Sequence, residues 1–189
     1  MRELILQMMV SVDGMAEGPG GNLDWVDVDD SELDQYLSAL LDSVGGQVFG
    51  RISYELLGRY WPEAGQQPST PGDKMLAPQV NGLLKLVVAR RRPELTWQPA
   101  AWVGADLAEE FAALKDQPGK PLIVFAGIET AREFLRLDLI DEIRLLVFPV
   151  VLGGGRPLFA AGDRAVELRL VEARPFSKSG VVLHRYRRR

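Results

Sequence analysis

From residue 149 to residue 159 the chain reads Pro149-Val150-Val151-Leu152-Gly153-Gly154-Gly155-Arg156-Pro157-Leu158-Phe159. This glycine stretch directly follows residues 142–148, an apolar and β-prone run that predicts a buried strand. Three successive glycines can take positive φ angles or lie close to another group, at an entropic cost that a simple linker would not need. Alone, the stretch predicts a tight bend after a strand.

Strand and helix patterns alternate on the N-terminal side of the glycine stretch. Strands are predicted at residues 3–12, 47–49, 84–89, 101–103, 121–125 and 142–148. Helices are predicted from an Asp30 or Ser31 cap to Gly45, from Gly50 to about residue 57, from an Asp106 cap to Pro118, and over residues 128–137. Residues 65–82 are rich in Gln, Pro and Gly, which predicts a surface loop with room for a short helical turn.

This alternation predicts an α/β fold, with a mixed, mostly parallel central sheet flanked by helices. Residues 166–172 and 180–186 follow each other without a helix, so we expect them to close the sheet as C-terminal antiparallel strands. No internal repeat or linker divides the sequence. We therefore expect a single domain over residues 1–189.

Composition excludes several classes of protein. The 189 residues are 47% hydrophobic and 25% charged, as in an ordinary globular protein. A net charge of -4 argues against a nucleic-acid binder that relies on bulk electrostatics. The chain has no cysteine and one histidine, His184, so we expect no metal site. It starts directly as a strand and has no apolar run of membrane-spanning length, which favours a cytoplasmic protein without a membrane contact.

The ends of four predicted strands carry residues suited to a ligand site. In open α/β sheets, ligands bind at the carboxyl ends of the strands, where helix N-termini point. Gly50 and Gly127 each precede a new helix, so unpaired backbone N–H groups there could bind phosphates. Arg51, Arg90 and Arg91 could bind a further phosphate. The pattern suits a pyrophosphate cofactor with an extra 2′-phosphate, whereas the Gly-x-Gly-x-x-Gly fingerprint of a Rossmann dehydrogenase is absent after the first strand.

The sequence resembles the dihydrofolate reductase fold, and most closely the reductase (RibD C-terminal) domain family of riboflavin biosynthesis and its stand-alone relatives. The matching segments occur in family order over nearly the whole chain. They are residues 9–14 (MVSVDG), 49–55 (FGRISYE), 122–127 (LIVFAG) and 139–159, which ends in the glycine stretch. The last of these segments is the most specific.

The resemblance implies NADPH as hydride donor and a set of residues to bind it. Backbone around Met9, Val10 and Met15 would flank the nicotinamide. The adenosine phosphates would be held by Gly50, Arg51, Ser53, Ala89, Arg90 and Arg91. The pyrophosphate would be cradled by Gly127, Ile128, Glu129 and Thr130; Ala126 stands where the family usually has a second glycine-type residue. The family commonly forms homodimers, and residues 145–151 are a candidate strand for pairing across such an interface.

Reduction also requires a proton, for which two carboxylates are candidates. Asp34, counted back from Gly50, matches the acidic residue with which dihydrofolate reductases bind the pterin; alternatively, it only complements a helix N-terminus. Asp13 ends the first strand and is either a proton donor or a turn residue beside Gly14. Trp25 is a candidate for the pocket mouth or for the core. Arg156 is a candidate for binding a substrate phosphate or is a solvated turn residue.

We therefore expect an NADPH-dependent reductase that transfers hydride to a small heterocyclic or ribosylamino-pyrimidine or pterin-like substrate. The glycine stretch favours the riboflavin family, in which the ribose of a phosphoribosylamino-pyrimidine is reduced. The sequence lacks the deaminase domain with its His/Cys zinc signature, which weakens the case for a dedicated riboflavin role. The alternative is a non-catalytic NADPH- or ligand-binding protein of the same fold.

Overall fold

A central β-sheet organises the computed structural model, which describes residues 1–104, 106–159 and 165–189. The strands are β1 (Leu4–Ser11), β2 (Met15–Glu17), β3 (Gly46–Gly50), β4 (Leu84–Val88), β5 (Ala100–Val103), β6 (Leu122–Val124), β7 (Glu142–Phe148), β8 (Arg156–Pro157), β9 (Leu168–Pro175) and β10 (Val182–Arg188). The helices are α1 (Ser31–Ser43), α2 (Arg51–Ala64), α3 (Pro71–Gly82), α4 (Leu107–Asp116) and α5 (Ile128–Arg136). Within the described ranges, none of these helices is long and apolar enough to cross a membrane.

The main sheet confirms the predicted α/β class. Its strand order is β5-β4-β3-β6-β1-β7-β10-β9. The strands from β5 to β7 pair in parallel, whereas β10 pairs antiparallel with both β7 and β9. Parallel strands require crossover connections, and the helices that provide them cover the sheet. The carboxyl ends of β3, β6 and β1 consequently meet at one edge.

Alternate residues of β1 divide the core into two layers. Leu4 and Leu6 belong to a cluster that includes Phe111 of α4 and Phe134 of α5. Ile5 instead packs with Leu40 of α1. Successive side chains of a strand point to opposite faces, so this alternation places α1 on one side of the sheet and α4 and α5 on the other.

The predicted loop at residues 65–82 is wrong, because most of it forms α3. Thr70 caps the helix in a reciprocal capping box with Asp73, and Pro71 occupies the first turn, where its missing N–H costs nothing. Leu76 and Val80 are buried in the core. The Pro and Gly content of the segment suggested a loop, but these residues follow a capping signature and an apolar face. Helix α2 also extends beyond residue 57, to Ala64.

The prediction that residues 145–151 pair as a strand with a second copy is also wrong for residues 145–148, which belong to β7. β7 lies between β1 and β10, and both of its edges are hydrogen-bonded. A strand with two occupied edges has no free backbone groups for a third partner. Its apolar composition reflects burial inside the sheet.

The glycine stretch brings β8 against β2, beside the carboxyl end of β1. Met15 pairs with Pro157, Glu17 pairs with Arg156, and the Leu158 N–H donates to the Gly14 carbonyl. Gly155 has φ of 120°, and a Cβ at this position would collide with the carbonyl oxygen of Glu17. These two features together explain why the stretch requires glycine there.

We expect Gly155→Ala to lower the free energy of unfolding by about 3 kcal/mol, since it combines an unfavourable φ with a backbone collision. Gly154→Ala is the matched control, because a Cβ at Gly154 would meet only the Pro19 ring at 3.8 Å. Urea titration followed by circular dichroism measures both. Equal effects of the two substitutions would show that close approach at Gly155 is not what the stretch provides.

Candidate active site

A cavity of about 470 Å³ lies beside the carboxyl ends of the central strands. This volume falls within the range of small-molecule sites. Its apolar wall includes Leu33 and Leu37 of α1, Leu76 of α3 and Phe148 at the end of β7. Residues 125–128, which run from the end of β6 to the first residue of α5, complete the lining on one side. The cavity is therefore formed by helices on one face of the sheet together with the strand ends.

Two helix N-termini lie side by side at the edge of this cavity. α2 starts after Gly50 and α5 starts after Gly127, and β3 and β6, which precede them, are neighbours. A Cβ on Gly50 would collide with the Thr130 hydroxyl, and one on Gly127 would lie 2.7 Å from Ser53 Oγ. Neither glycine supplies a side-chain cap, so the first N–H groups of both helices remain suited to an anion.

The three predicted arginines lie on exposed positions around these helix starts. Arg51 donates to Glu55 at 2.9 Å within α2, and its side chain is 51% exposed. Such exposed pairs contribute little, so Arg51 can exchange Glu55 for a stronger anion. Arg90 and Arg91 follow β4 and are exposed. The carbonyl of Ala89, just before them, accepts a hydrogen bond from the Trp102 indole at 2.9 Å.

The three residues expected at the nicotinamide occupy different environments. Met9 lines the cavity. Val10 is 4% exposed and belongs to the core cluster on the other face of the sheet. Met15 lies on β2, where its N–H donates to Ser11 Oγ at 2.9 Å, and the neighbouring Ala16 lines the cavity. Of the three side chains, only that of Met9 belongs to the cavity wall.

Asp34 lines the cavity, as a proton donor would require. Burial, followed by repulsion from Asp30, Asp29 and Asp73, raises its pKa. Helix capping does not need Asp34, because the carboxylate of Asp30 accepts hydrogen bonds from the N–H groups of Glu32 and Leu33. A carboxyl group that binds its proton more tightly than usual, at a cavity wall, is suited to proton transfer.

Asp13, the other candidate proton donor, lies outside the cavity lining and anchors a loop. Its carboxylate accepts hydrogen bonds from Ser11 Oγ at 2.6 Å and from the N–H groups of Leu152 and Gly153 at 3.1 and 2.8 Å. The Ser11 hydroxyl and these two peptides lower the pKa of Asp13 to about 2. A carboxylate held ionised in this way opposes a role as proton donor. It instead attaches the glycine stretch to the end of β1.

Trp25 lies behind the cavity wall. Its ring makes an edge-to-face contact with Phe148 at 5.4 Å, and its indole N–H donates to the Asn22 carbonyl at 3.1 Å. The residues on either side of it, Asp24 and Val26, line the cavity. This geometry favours the core alternative for Trp25.

Arg156 is held by carboxylates on two neighbouring elements. Its guanidinium donates to Glu17 of β2 and to Glu129 of α5. The Glu129 carboxylate also accepts from Arg132, at 3.2 Å. These contacts link the glycine stretch to β2 and to the start of α5. Glu17 lines the cavity, but Arg156 and Glu129 do not, and the Arg156 guanidinium is already held by two carboxylates, so the geometry does not support a contact with a substrate phosphate.

Sequence reasoning missed several polar residues of the cavity. Gln7 lies within buried β1, and its signal was a single amide among apolar neighbours. Tyr60 donates to Asp73 at 2.5 Å and accepts from the Ser69 N–H at 2.9 Å. Asp73 and Ser69 fall within the segment misread as a loop, so no helix was available to place them. Asp27, also in the lining, carried no motif.

The parallel sheet with its antiparallel C-terminal pair, and the cavity beside two helix N-termini, define a dihydrofolate reductase-like α/β protein. The model of the RibD C-terminal domain matches residues 2–182, and the chain belongs to that family.

Similar proteins agree with this assignment. Over 181 residues the chain is 36% identical to the uncharacterized protein YyaP of Bacillus subtilis (strain 168), with 96% of this chain and 92% of YyaP covered. A putative riboflavin biosynthesis protein from Shewanella sp. PV-4 has a TM-score of 0.76 at 24% identity, with 99% of both chains covered. The dihydrofolate reductase of Enterococcus faecalis, solved with NADP(H), has a TM-score of 0.63 at 14% identity, with 98% of this chain and 96% of that one covered.

We expect Asp34→Asn to stabilise the protein at pH 7. Because the folded state raises the pKa of Asp34, the native state binds its proton more readily than the unfolded state, and ionisation above that pKa costs stability. The substitution should raise the melting temperature by about 2–4 °C at pH 7. The gain should disappear as the pH falls below about 3.9, where the carboxyl is neutral in both states.

Asp42→Asn, on the same helix but outside the cavity lining, is the control. Thermal unfolding of both variants between pH 3 and pH 8 provides the measurement. A gain for Asp34→Asn that is the same at every pH would rule out the electrostatic explanation.

Proposed function

We propose that this protein is an NADPH-dependent reductase that transfers hydride to a small heterocyclic or ribosylamino-pyrimidine or pterin-like substrate. The observation that carries the proposal is the pair of uncapped helix N-termini, with the Ser53 and Thr130 hydroxyls between them, at the edge of a cavity. A pyrophosphate fits such a cradle, and the cavity has the size for the ring that accepts hydride.

Both the shape and the charge of this edge support NADPH as the coenzyme. The lack of side chains at Gly50 and Gly127 lets the Thr130 and Ser53 hydroxyls lie against the backbone, and these hydroxyls and the N–H groups of Ile128 and Thr130 would donate to phosphate oxygens. Arg51, Arg90 and Arg91 would hold the 2′-phosphate. When bound there, NADPH supplies a hydride. The likeness to a dihydrofolate reductase solved with NADP(H) supports this choice of coenzyme.

The chain's own residues would provide the proton and the dry environment. Hydride addition to the carbon of a C=N or C=O group leaves a pair of electrons on the nitrogen or oxygen, which must receive a proton. Asp34 would hold that proton on its carboxyl group, and its pKa, raised by burial, supports this role. The apolar side chains of Leu33, Leu37 and Phe148 line the cavity and would help to exclude water once a substrate is bound, which strengthens polar contacts inside it.

A non-catalytic binder of the same fold is the alternative, and steady-state kinetics separates the two. We expect NADPH oxidation with at least one member of a pyrimidine and pterin panel. We expect Asp34→Asn to lower kcat by at least about a hundredfold without weakening NADPH binding. Tight NADPH binding without oxidation by any substrate would favour the binder. The homodimer, the absence of nucleic-acid and membrane partners, and the cytoplasmic location stay predictions.

The arginine role predicts a difference between coenzymes. Arg51→Ala and Arg90→Ala should each weaken NADPH binding by about tenfold or more and change NADH binding by less than about twofold, because only NADPH carries the 2′-phosphate. Isothermal titration calorimetry measures both affinities. Arg59→Ala, on the same helix two turns after Arg51, is the control and should change neither. Equal losses for NADPH and NADH would refute the 2′-phosphate contact.

A further inference from the structure

The ionisable side chains that line the cavity carry one sign of charge. Among the described residues, the charged members of the lining are all acidic, and no arginine or lysine accompanies them. They are Glu17, Asp24, Asp27, Asp34 and Asp73.

These carboxylates differ in whether an ion pair or hydrogen bonds within the protein already stabilise their charge. Glu17 is paired with Arg156, and Asp73 accepts hydrogen bonds from Tyr60 and from the Thr70 N–H. Asp27 and Asp34 are raised in pKa by burial and by neighbouring carboxylates, as expected for charges that lack a strong cation beside them.

The lysine that acts on Asp34 is engaged elsewhere. Lys178 attracts Asp34, but its ammonium group is paired with Asp29 at 2.8 Å, and Lys178 is not part of the lining. The cavity therefore presents a negative field with little counter-charge. Asp34 and Asp73 are half-buried, so their charges are screened less than those of Asp24 and Asp27, which are exposed.

Gln7 provides an independent sign that a ligand belongs in the cavity. It lines the cavity and is 1% exposed, and its Nε2 has no hydrogen-bond partner in the described structure. Its Oε1 accepts from the Tyr36 hydroxyl at 3.0 Å. Buried donors normally have a partner, so an unpaired amide in a cavity wall indicates an acceptor on a bound molecule.

The neighbours of Tyr36 fix the orientation of that amide. Glu142, 1% exposed, accepts from Arg144 at 2.6 Å, and the Arg144 guanidinium is near enough to the Tyr36 hydroxyl to oppose the rise in its pKa that burial causes. A guanidinium group can only donate, so the Tyr36 proton points away from Arg144 and goes to Gln7 Oε1. The amide cannot flip without placing two donors against each other. The Nε2 group of Gln7 is thus left over for a ligand.

We propose that the cavity selects a phosphate-free, neutral or cationic heterocycle, which presents an acceptor to Gln7 Nε2 and N–H donors to Asp34 and Asp27. A phosphate inside the cavity would face several carboxylates without a lysine or arginine to bind it. This inference rests on the proposed function, because it treats the cavity as the substrate site. It narrows that function by excluding a phosphorylated ribosyl group from the cavity.

Three probes of nearly the same shape test the charge preference: benzamidine, benzamide and benzoate, with charges of +1, 0 and −1 at neutral pH. We expect wild-type protein to bind benzamidine about tenfold or more tightly than benzoate, as measured by titration with ligand-observed NMR. Uridine should likewise bind about threefold or more tightly than uridine 5′-monophosphate. Benzoate or uridine 5′-monophosphate binding as tightly as its partner, or no preference for benzamidine, would overturn the proposal.

Two substitutions with opposite effects locate the binding groups. Asp34→Asn should weaken the binding of benzamidine by about fivefold or more and change the affinity for benzamide by less than about twofold. Gln7→Glu keeps an acceptor for Tyr36 but loses the N–H donor. It should therefore weaken the binding of benzamide by about threefold and leave the affinity for benzamidine at least as high. Asp42→Asn, outside the lining, should change neither. Insensitivity of both probes to both cavity variants would overturn the proposal, and the wild-type probe series decides it if a variant does not fold.

NADPH titration, run in parallel, distinguishes this inference from the proposed function. If NADPH does not bind while the probes follow the predicted order, the reductase proposal fails and the charge selection stands. If NADPH binds and is oxidised while benzoate binds as tightly as benzamidine, the charge selection fails and the reductase proposal stands.

Discussion

The close approach of two helix starts is the constraint on which the site depends. β3 and β6 are hydrogen-bonded neighbours, so the helices that follow them begin side by side. This is possible because Gly50 and Gly127 carry no side chain where Thr130 and Ser53 fill the gap. Two sets of unpaired N–H groups then point to the same edge of the sheet. The anion cradle is a consequence of strand pairing together with the absence of two Cβ atoms.

Two aspartates of the same edge show how environment sets the role of a residue type. Asp13 accepts hydrogen bonds from a hydroxyl and from two peptides of the glycine stretch, which lower its pKa and keep it ionised. Asp34 lies among other carboxylates in a partly buried wall, and both effects raise its pKa. Donors stabilise the charged form, whereas burial and like charges disfavour it. The first aspartate therefore holds a loop in place, and the second is available for proton chemistry.

The cavity is also connected to the ionic network on the C-terminal half of the sheet. Glu142 is buried among Arg144, Arg185 and Arg187, and the Tyr36 hydroxyl, which lies near Arg144, donates to the amide oxygen of Gln7. Removing one partner from such a buried network leaves an uncompensated charge, so the loss of any member costs stability. A side chain at the cavity wall is thus oriented by residues that are distant in sequence and never touch the cavity.

The sequence by itself determined the features that depend on local chemistry. These are the alternation of strands and helices, the Asp30 and Asp106 caps, the glycines before α2 and α5, and the identity of a family whose motifs follow in order. The tertiary structure decided what depends on distant contacts. It made residues 71–82 a helix by giving Leu76 and Val80 a core to pack against, and it placed β7 inside the sheet. It also engaged the Asp13 carboxylate in hydrogen bonds to the glycine stretch, and it left the Gln7 amide nitrogen without a partner beside a cavity lined by carboxylates. Local patterns fix the backbone, whereas burial and hydrogen-bond partners come from segments that only folding brings together.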